Sequence, residues 1–190
     1  MFINQWKKEL FTVPNLLSLF RIGMVPVYVV LYLTAKEPWH YHTAGILLGF
    51  SCLTDALDGQ IARHWHMITN LGKILDPLAD KVTQLAVILC LSIRYASLRP
   101  MLVLFIIKEL FQLIAGVIHL RRGKMLSGAL IAGKVSTAVL FISLIWLVLF
   151  PDTSAKTVGY ISILDSIVLS ISFISYLFAY LGNHGHIQDL

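Results

Sequence analysis

The sequence predicts an all-α integral membrane protein, a bundle of six transmembrane helices with an N-terminal amphipathic helix lying in the membrane interface. Of the 190 residues, 57% are hydrophobic and only 13% are charged, about half the charged fraction of an average soluble domain. The apolar residues form six runs, each close to the ~20 residues that cross a bilayer. Helices are expected because backbone polar groups in lipid must be satisfied within each segment.

The order of apolar and charged residues gives each element. Residues 1–11 mix large apolar side chains with Lys and Glu, as an interfacial helix does. Pro14 opens the first span. The six spans are predicted at 13–34, 41–62, 76–93, 101–120, 128–150 and 158–181. No repeat, linker or low-complexity segment interrupts them, so we expect a single domain over residues 1–190.

The basic residues indicate the orientation of the bundle. With the N-terminus in the cytoplasm, seven Lys and Arg residues fall on the cytoplasmic side and four on the opposite side, which agrees with the positive-inside rule. The net charge of +5 is interpreted as basic loops beside anionic lipid headgroups, with no nucleic-acid partner. The first apolar run is too long for a signal peptide. The lack of a targeting presequence favours a bacterial cytoplasmic membrane.

Four aspartates lie where the second span ends and the third begins: Asp55, Asp58, Asp76 and Asp80. Carboxylates in membrane helices persist only when they are paired, solvated or bound to a cation. The nearby cations are too few to pair with all of them: Arg63, Lys73 and Lys81. Oxygen ligands favour Mg²⁺ or Mn²⁺, and four carboxylates can hold two such ions. Two ions would clamp a pyrophosphate and orient an attacking oxygen.

The spacing of these aspartates places each pair on one helix face. Asp55 and Asp58 are three residues apart, and Asp76 and Asp80 are four apart, so each pair projects from the same side of its helix. An antiparallel hairpin of the second and third spans can bring the pairs face to face. The active site is then expected on the cytoplasmic side of the membrane.

Small residues accompany the aspartates. Gly59 and Gly72 remove side chains and leave room for a metal or a phosphate close to the backbone. Pro77 is expected in the first turn of the third helix, where a missing N–H does no harm. Capping of a helix or a turn would explain any single aspartate, but four at this spacing favour a metal site.

The aspartates belong to a longer pattern: Asp55-x-x-Asp58-Gly59-x-x-Ala62-Arg63, eight residues, then Gly72-x-x-x-Asp76-x-x-x-Asp80. This pattern resembles the signature of the CDP-alcohol phosphotransferases. Members of that family transfer a substituted phosphoryl group from a CDP-linked donor to an alcohol and release CMP. The resemblance extends over the six spans and implies a homodimer.

The resemblance implies a role for each residue of the pattern. All four aspartates would surround the metal ions, and Asp80 would also act as general base on the acceptor hydroxyl. The pocket for the cytidine diphosphate moiety would be lined by Asp55, Asp58, Gly59, Ala62, Arg63 and Gly72.

The alcohol acceptor is predicted less directly. The chain most resembles the branch in which CDP-diacylglycerol is the donor and glycerol 3-phosphate or phosphatidylglycerol is the acceptor. Glycerol 3-phosphate synthases of the family usually have Arg-Glu in the fourth helix and another Arg two turns on; this chain has Lys108-Glu109 and no cation near Gly116. Glycerol 3-phosphate is our first prediction and phosphatidylglycerol, a cardiolipin synthase activity, the alternative. Candidate acceptor-binding residues are Lys108, Lys134 and Arg121.

Some charged residues have more than one interpretation. Arg21 either pairs with an aspartate of the hairpin or anchors the first helix. Lys108 and Glu109 are adjacent, so they are expected on different sides of their helix. Acidic residues in membrane helices also mark ion pathways, which makes a divalent-cation transporter the non-enzymatic alternative. Transporters place their sites near the midplane between repeated halves, whereas these aspartates cluster at one end of a hairpin.

Overall fold

A computed structural model describes residues 12–37, 39–50, 72–121, 124–126, 130–181 and 187–189. Besides a short 3-10 helix at Ala96–Leu98, the described residues form six α-helices and two short strands. In chain order these are α1 (Val13–Leu33), α2 (described over 39–50), α3 (Gly72–Arg94), α4 (Arg99–Arg121), β1 (Lys124–Leu126), α5 (Ile131–Leu149), α6 (Ala155–Leu181) and β2 (Ile187–Asp189). The predicted helical class is therefore confirmed.

Four of the described helical stretches are long and apolar enough to cross a membrane: Asn15–Leu33, Ala96–His119, Ile131–Leu149 and Ala155–Leu181. They correspond to the first, fourth, fifth and sixth predicted spans. Helix α3 is long enough, but its charged residues, two of them the aspartates of the predicted site, lower its hydropathy. The predicted interfacial helix over 1–11 and the second half of the second span lie outside the described residues.

Helix α3 begins earlier than predicted. It starts at Gly72, four residues before the predicted boundary at Asp76, so Pro77 lies inside the helix and not in its first turn. The expectation for Pro77 was wrong. Because proline has no backbone N–H, the carbonyl of Lys73 has no helical hydrogen bond from this position. The missing backbone hydrogen bond therefore lies in the turn that contains Asp76.

The β1–β2 pair was not predicted. The strands are antiparallel, with Lys124 opposite Asp189 and Leu126 opposite Ile187. Each strand has three residues, which is too short for a recognisable alternation of apolar and polar side chains.

The polarity of α6 agrees with a helix that faces lipid. Its buried residues include Ser162, Asp165 and Ser172. Beyond its first turn, its exposed residues include large apolar ones: Ile163, Leu164, Ile167, Ile171, Ile174, Phe178 and Leu181. A soluble helix shows the reverse pattern. The apolar surface therefore supports the prediction that this is an integral membrane protein.

Contacts divide the described residues into two compact units. The first contains the residues up to Cys90 together with Ile145–Pro151. In it the rings of Tyr32 and Tyr41 meet edge to face with centroids 5.2 Å apart, which joins α1 to α2.

The second unit contains Leu91–Leu144 together with the residues from Asp152 onward. In it α4 packs on α6, with the rings of Phe111 and Phe173 edge to face at 5.3 Å. The Ser162 hydroxyl of α6 also donates to the carbonyl of Ser97, 2.7 Å away, just before α4.

Candidate active site

Helix α1 carries a buried polar stripe near its N-terminal end. Asn15, Ser18 and Arg21 are 1%, 0% and 2% exposed. They follow one another at intervals of three residues, so they lie along one side of the helix. Polar groups are buried at this depth only where they find partners.

Two of these residues contact the aspartates of α3. The Ser18 hydroxyl donates a hydrogen bond to Oδ1 of Asp76. Arg21 Nη1 donates to Oδ1 of Asp80 at 2.5 Å and forms an ion pair with it. Asp76 and Asp80 are both half-buried. The predicted aspartate pair therefore lies on one face of α3 and is held from α1.

These two contacts also fix the relative direction of the helices within the first unit. The partner on α3 advances from Asp76 to Asp80 as the donor on α1 advances from Ser18 to Arg21. The two helices consequently run parallel at this end. Successive membrane spans alternate in direction, so the first and third spans begin on the same side of the bilayer and run parallel.

The Arg21–Asp80 pair decides between the two interpretations of Arg21. The arginine pairs with an acid of the predicted site, and only 3% of its side chain is exposed, compared with 33% for Asp80. A charge-assisted hydrogen bond of this kind is shorter and stronger than a neutral one. Removing one partner of such a buried pair leaves the other charge uncompensated in a poorly solvated place.

The donor chemistry of this face suits a hard divalent cation. Asp76 and Asp80 supply carboxylate oxygens, and a carboxylate that accepts one hydrogen bond keeps capacity for further ligands. Among the described residues no group of three or more His, Cys, Asp or Glu side chains comes together. Two of the four predicted ligands, Asp55 and Asp58, lie outside the described part of the chain.

The predicted nucleotide pocket is described only in part. Gly72 is buried and is the first residue of α3, one turn before Asp76. A glycine here puts no side chain beside the aspartates. The other proposed pocket residues, Gly59, Ala62 and Arg63, lie outside the described residues.

Lys108, the first of the candidate acceptor residues, is deeply buried in the second unit. It is 1% exposed, and its Nζ lies 2.8 Å from Oε1 of Glu109. The expectation that these neighbours are separated on different sides of the helix was wrong, since the long lysine side chain bends back to the carboxylate. Lys108 Nζ also lies 5.9 Å from the ring centroid of Tyr176, within the range of a cation–π interaction.

Tyr176 is a residue that sequence reasoning missed. Its ring packs against Gly133 of α5, where an added Cβ would lie 2.9 Å from Tyr176 Cε2. Tyr176 therefore links Lys108 on α4 with the start of α5. A tyrosine near the end of a span is common in membrane proteins, so its position alone carried no signal.

The remaining candidate acceptor residues are exposed. Lys134 follows Gly133 near the start of α5, and Arg121 is the last residue of α4. Arg121 lies 13 residues beyond Lys108, about 20 Å along the helix axis. One phosphate group cannot contact both of these side chains. The structure thus brings Lys108 close to Gly133 through Tyr176 but keeps Arg121 apart from Lys108.

Comparison with known proteins adds independent information. The family model described as CDP-alcohol phosphatidyltransferase matches residues 11–178. A bacterial relative named CDP-diacylglycerol–glycerol-3-phosphate 3-phosphatidyltransferase, from Shigella flexneri serotype 5b, is 32% identical over 173 residues, covering 89% of this chain and 94% of the relative. The enzyme of that name from Escherichia coli K12 is 31% identical over the same coverage.

Two mammalian relatives have higher identity over a shorter stretch. Cardiolipin synthase (CMP-forming) from Rattus norvegicus is 45% identical over 120 residues, and the human protein of that name is 42% identical over 123 residues. These matches cover 62% and 64% of this chain but only 36% and 37% of the relatives. The chain therefore spans about a third of the length of the mammalian proteins it matches.

Proposed function

This chain belongs to the CDP-alcohol phosphatidyltransferase family, and from that premise we propose that it transfers a phosphatidyl group from CDP-diacylglycerol to a glycerol-type alcohol and releases CMP. The observation that carries the proposal is the Asp76–Asp80 pair on one face of α3, held by Ser18 and Arg21. These are the last two aspartates of the pattern that resembles the family signature.

The aspartates would hold the metal. We propose that two ions, Mg²⁺ or Mn²⁺, bind to the carboxylates of Asp55, Asp58, Asp76 and Asp80. When bound, the ions neutralise the charge of the donor's pyrophosphate. Support comes from the oxygen donors of Asp76 and Asp80, which share one half-buried helix face.

Asp80 would also accept the proton of the reaction. The acceptor hydroxyl oxygen forms a bond to the phosphorus of the phosphatidyl group, and the bond from that phosphorus to the CMP oxygen breaks. The hydroxyl proton passes to the Asp80 carboxylate, and CMP leaves with the electron pair of the broken bond. About a third of the Asp80 side chain is exposed (33%), which lets a hydroxyl group approach it.

The nucleotide part of the donor would bind along the same pattern. We assign Asp55, Asp58, Gly59, Ala62, Arg63 and Gly72 to the cytidine diphosphate pocket. The position of Gly72 at the start of α3 supports this assignment, because it puts no side chain one turn before Asp76.

The first-choice acceptor is glycerol 3-phosphate. The bacterial relatives named for that acceptor are matched over nearly their whole length. Lys134, exposed near the start of α5, is our preferred ligand for the acceptor phosphate. Lys108 is paired with Glu109 and contacts the Tyr176 ring, so its contribution to acceptor binding would be indirect. Arg121 would contact a more distant part of the lipid headgroup.

Phosphatidylglycerol is the alternative acceptor. The mammalian relatives, which are named as CMP-forming cardiolipin synthases, have the higher identity. The absence of a second arginine two turns after Lys108 also fits an acceptor without a free phosphate dianion.

The proposed membrane arrangement has six spans, an interfacial helix over 1–11 and the N-terminus in the cytoplasm. The parallel direction of α1 and α3 supports it, because both helices then start at the cytoplasmic face with the aspartates. We further propose a homodimer in a bacterial cytoplasmic membrane.

A direct test offers the purified protein CDP-diacylglycerol and Mg²⁺ or Mn²⁺ with one acceptor at a time. Released CMP is quantified and the lipid product is identified by mass. Phosphatidylglycerophosphate formed from glycerol 3-phosphate is the expected result. Cardiolipin formed only from phosphatidylglycerol would select the alternative acceptor. No CMP with any alcohol, together with Mn²⁺ uptake into proteoliposomes, would contradict the enzyme and favour the transporter.

A further inference from the structure

We propose that Ser18 and Arg21 are positioning residues that orient Asp76 and Asp80 for the metal ions and the acceptor hydroxyl. This inference rests on the proposed function and extends it from α3 to α1. It assigns a task to two side chains outside the pattern that resembles the family signature.

The burial of the two donors supports this assignment. Ser18 and Arg21 are 0% and 2% exposed, whereas both aspartates are half-buried. The donors are enclosed in the interior of the first unit, so they cannot turn toward solvent. Arg21 also borders a small cavity with Leu47 of α2 and Thr83 of α3, so three helices surround it.

One hydrogen bond is sufficient to orient the carboxylate group of an aspartate. Its side chain has two rotatable bonds, so anchoring one carboxylate oxygen strongly restricts the direction of the other. Each contact is made to Oδ1. We infer that anchoring Oδ1 limits the directions that the second oxygen of each residue can take.

The two contacts differ in charge, which gives them different tasks. Ser18 donates a neutral hydrogen bond, so Asp76 is oriented while its negative charge stays available to a metal. Arg21 brings a positive charge to Asp80, the proposed base. Loss of Ser18 should therefore act mainly through metal affinity. Loss of Arg21 should in addition affect the chemical step.

The first experiment measures Mn²⁺ affinity by electron paramagnetic resonance on purified protein without substrate. Groups that orient metal ligands typically change metal affinity about 10–100-fold when they are removed. We expect Ser18→Ala and Arg21→Met each to weaken Mn²⁺ binding within that range. Ser18→Thr and Arg21→Lys, which keep a donor, should recover part of the affinity.

The second experiment separates affinity from chemistry. With CDP-diacylglycerol and a saturating acceptor, excess Mn²⁺ should restore the kcat of Ser18→Ala but not that of Arg21→Met. Matched controls remove the same groups elsewhere: Ser175→Ala, whose hydroxyl donates only within α6, and Arg94→Met, exposed in the last turn of α3. Both controls should bind Mn²⁺ and turn over like the wild type.

The outcomes distinguish this inference from the proposed function. A wild-type protein that binds Mn²⁺ and releases CMP, with variants of unchanged affinity and kcat but lower thermal stability, would show that the contacts are structural only and overturn the positioning role. A wild-type protein that binds no Mn²⁺ and releases no CMP would overturn the proposed function, and the positioning role with it.

Discussion

Arg21 on α1 and Asp80 on α3 are 59 residues apart in the chain, yet their side chains form an ion pair with Nη1 2.5 Å from Oδ1. The first helix therefore contributes to the acidic site as well as to the membrane anchor. Ser18 repeats the relationship one turn earlier with Asp76. A polar stripe on α1 is thus paired with an acidic stripe on α3, and the two helices run parallel.

Metal removal should abolish activity reversibly. Because only carboxylate ligands are proposed, EDTA should reduce CMP release to background, and added Mg²⁺ or Mn²⁺ should restore it. Zn²⁺, which prefers nitrogen and sulfur ligands, should restore less. Full activity in EDTA after exhaustive dialysis would contradict the metal site.

Lys134→Met should raise the KM for glycerol 3-phosphate more than it lowers kcat. Loss of a charged hydrogen bond costs roughly 1.5–3 kcal/mol, which corresponds to about a 10–100-fold change in KM. Lys156→Met serves as a control, since Lys156 is exposed at the start of α6 and has no proposed role in the site. Equal effects of both substitutions on KM would indicate a diffuse basic surface and contradict a specific phosphate contact.

Gly133→Ala should destabilise the second unit. The new Cβ would overlap the Tyr176 ring, and overpacking of this kind costs about 1–3 kcal/mol. Gly159→Ala is the matched control, because nothing lies within 4 Å of its added Cβ. Thermal unfolding in detergent should show a lower midpoint for Gly133→Ala only.

The double variant Gly133→Ala/Tyr176→Phe should recover part of that stability, because the tyrosine hydroxyl is the atom closest to the added methyl group. Additive losses in the double variant would mean that the Tyr176 contact is not the cause.

Ser143→Ala should destabilise the pairing of α5 with α6. The Ser143 hydroxyl donates to Oδ1 of Asp165 at 3.0 Å, and Asp165 is 1% exposed. Leaving a buried acceptor unsatisfied costs about 1–3 kcal/mol. Asp165→Asn, which keeps an oxygen acceptor, should cost less. Both variants should retain the kcat of the wild type, and a large loss of kcat in Asp165→Asn would give this residue a catalytic role.

The sequence was sufficient to predict the helices that the structure describes, since hydropathy reports directly on burial in lipid. The predicted start of α3 was too late, because the charged residues Lys73 and Asp76 limit the apolar run but not the helix. Hydropathy marks where the hydrocarbon region begins, whereas backbone hydrogen bonds decide where the helix begins. Pro77 was consequently assigned to the wrong turn.

The pairing of distant side chains could not be read from spacing. Asp76 and Asp80 were predicted to share a face because they belong to one helix. Ser18 was overlooked because a serine is ordinary in a membrane helix, and Arg21 had two interpretations, of which anchoring of the first helix was favoured. Tyr176 was missed for the same reason, since its partners Lys108 and Gly133 lie on other helices. Contacts of this kind depend on how helices pack.

The central claim is tested most directly by CMP release from CDP-diacylglycerol and glycerol 3-phosphate, measured side by side for the wild type and Asp80→Asn at saturating Mn²⁺. Asparagine preserves size and hydrogen bonding but cannot take the proton. We predict that Asp80→Asn stays folded, with a lower thermal midpoint because the buried Arg21 loses its counter-charge. It should keep much of the Mn²⁺ binding while CMP release falls by at least about 100-fold. Wild-type rates in this variant would contradict the assignment of Asp80 as the base.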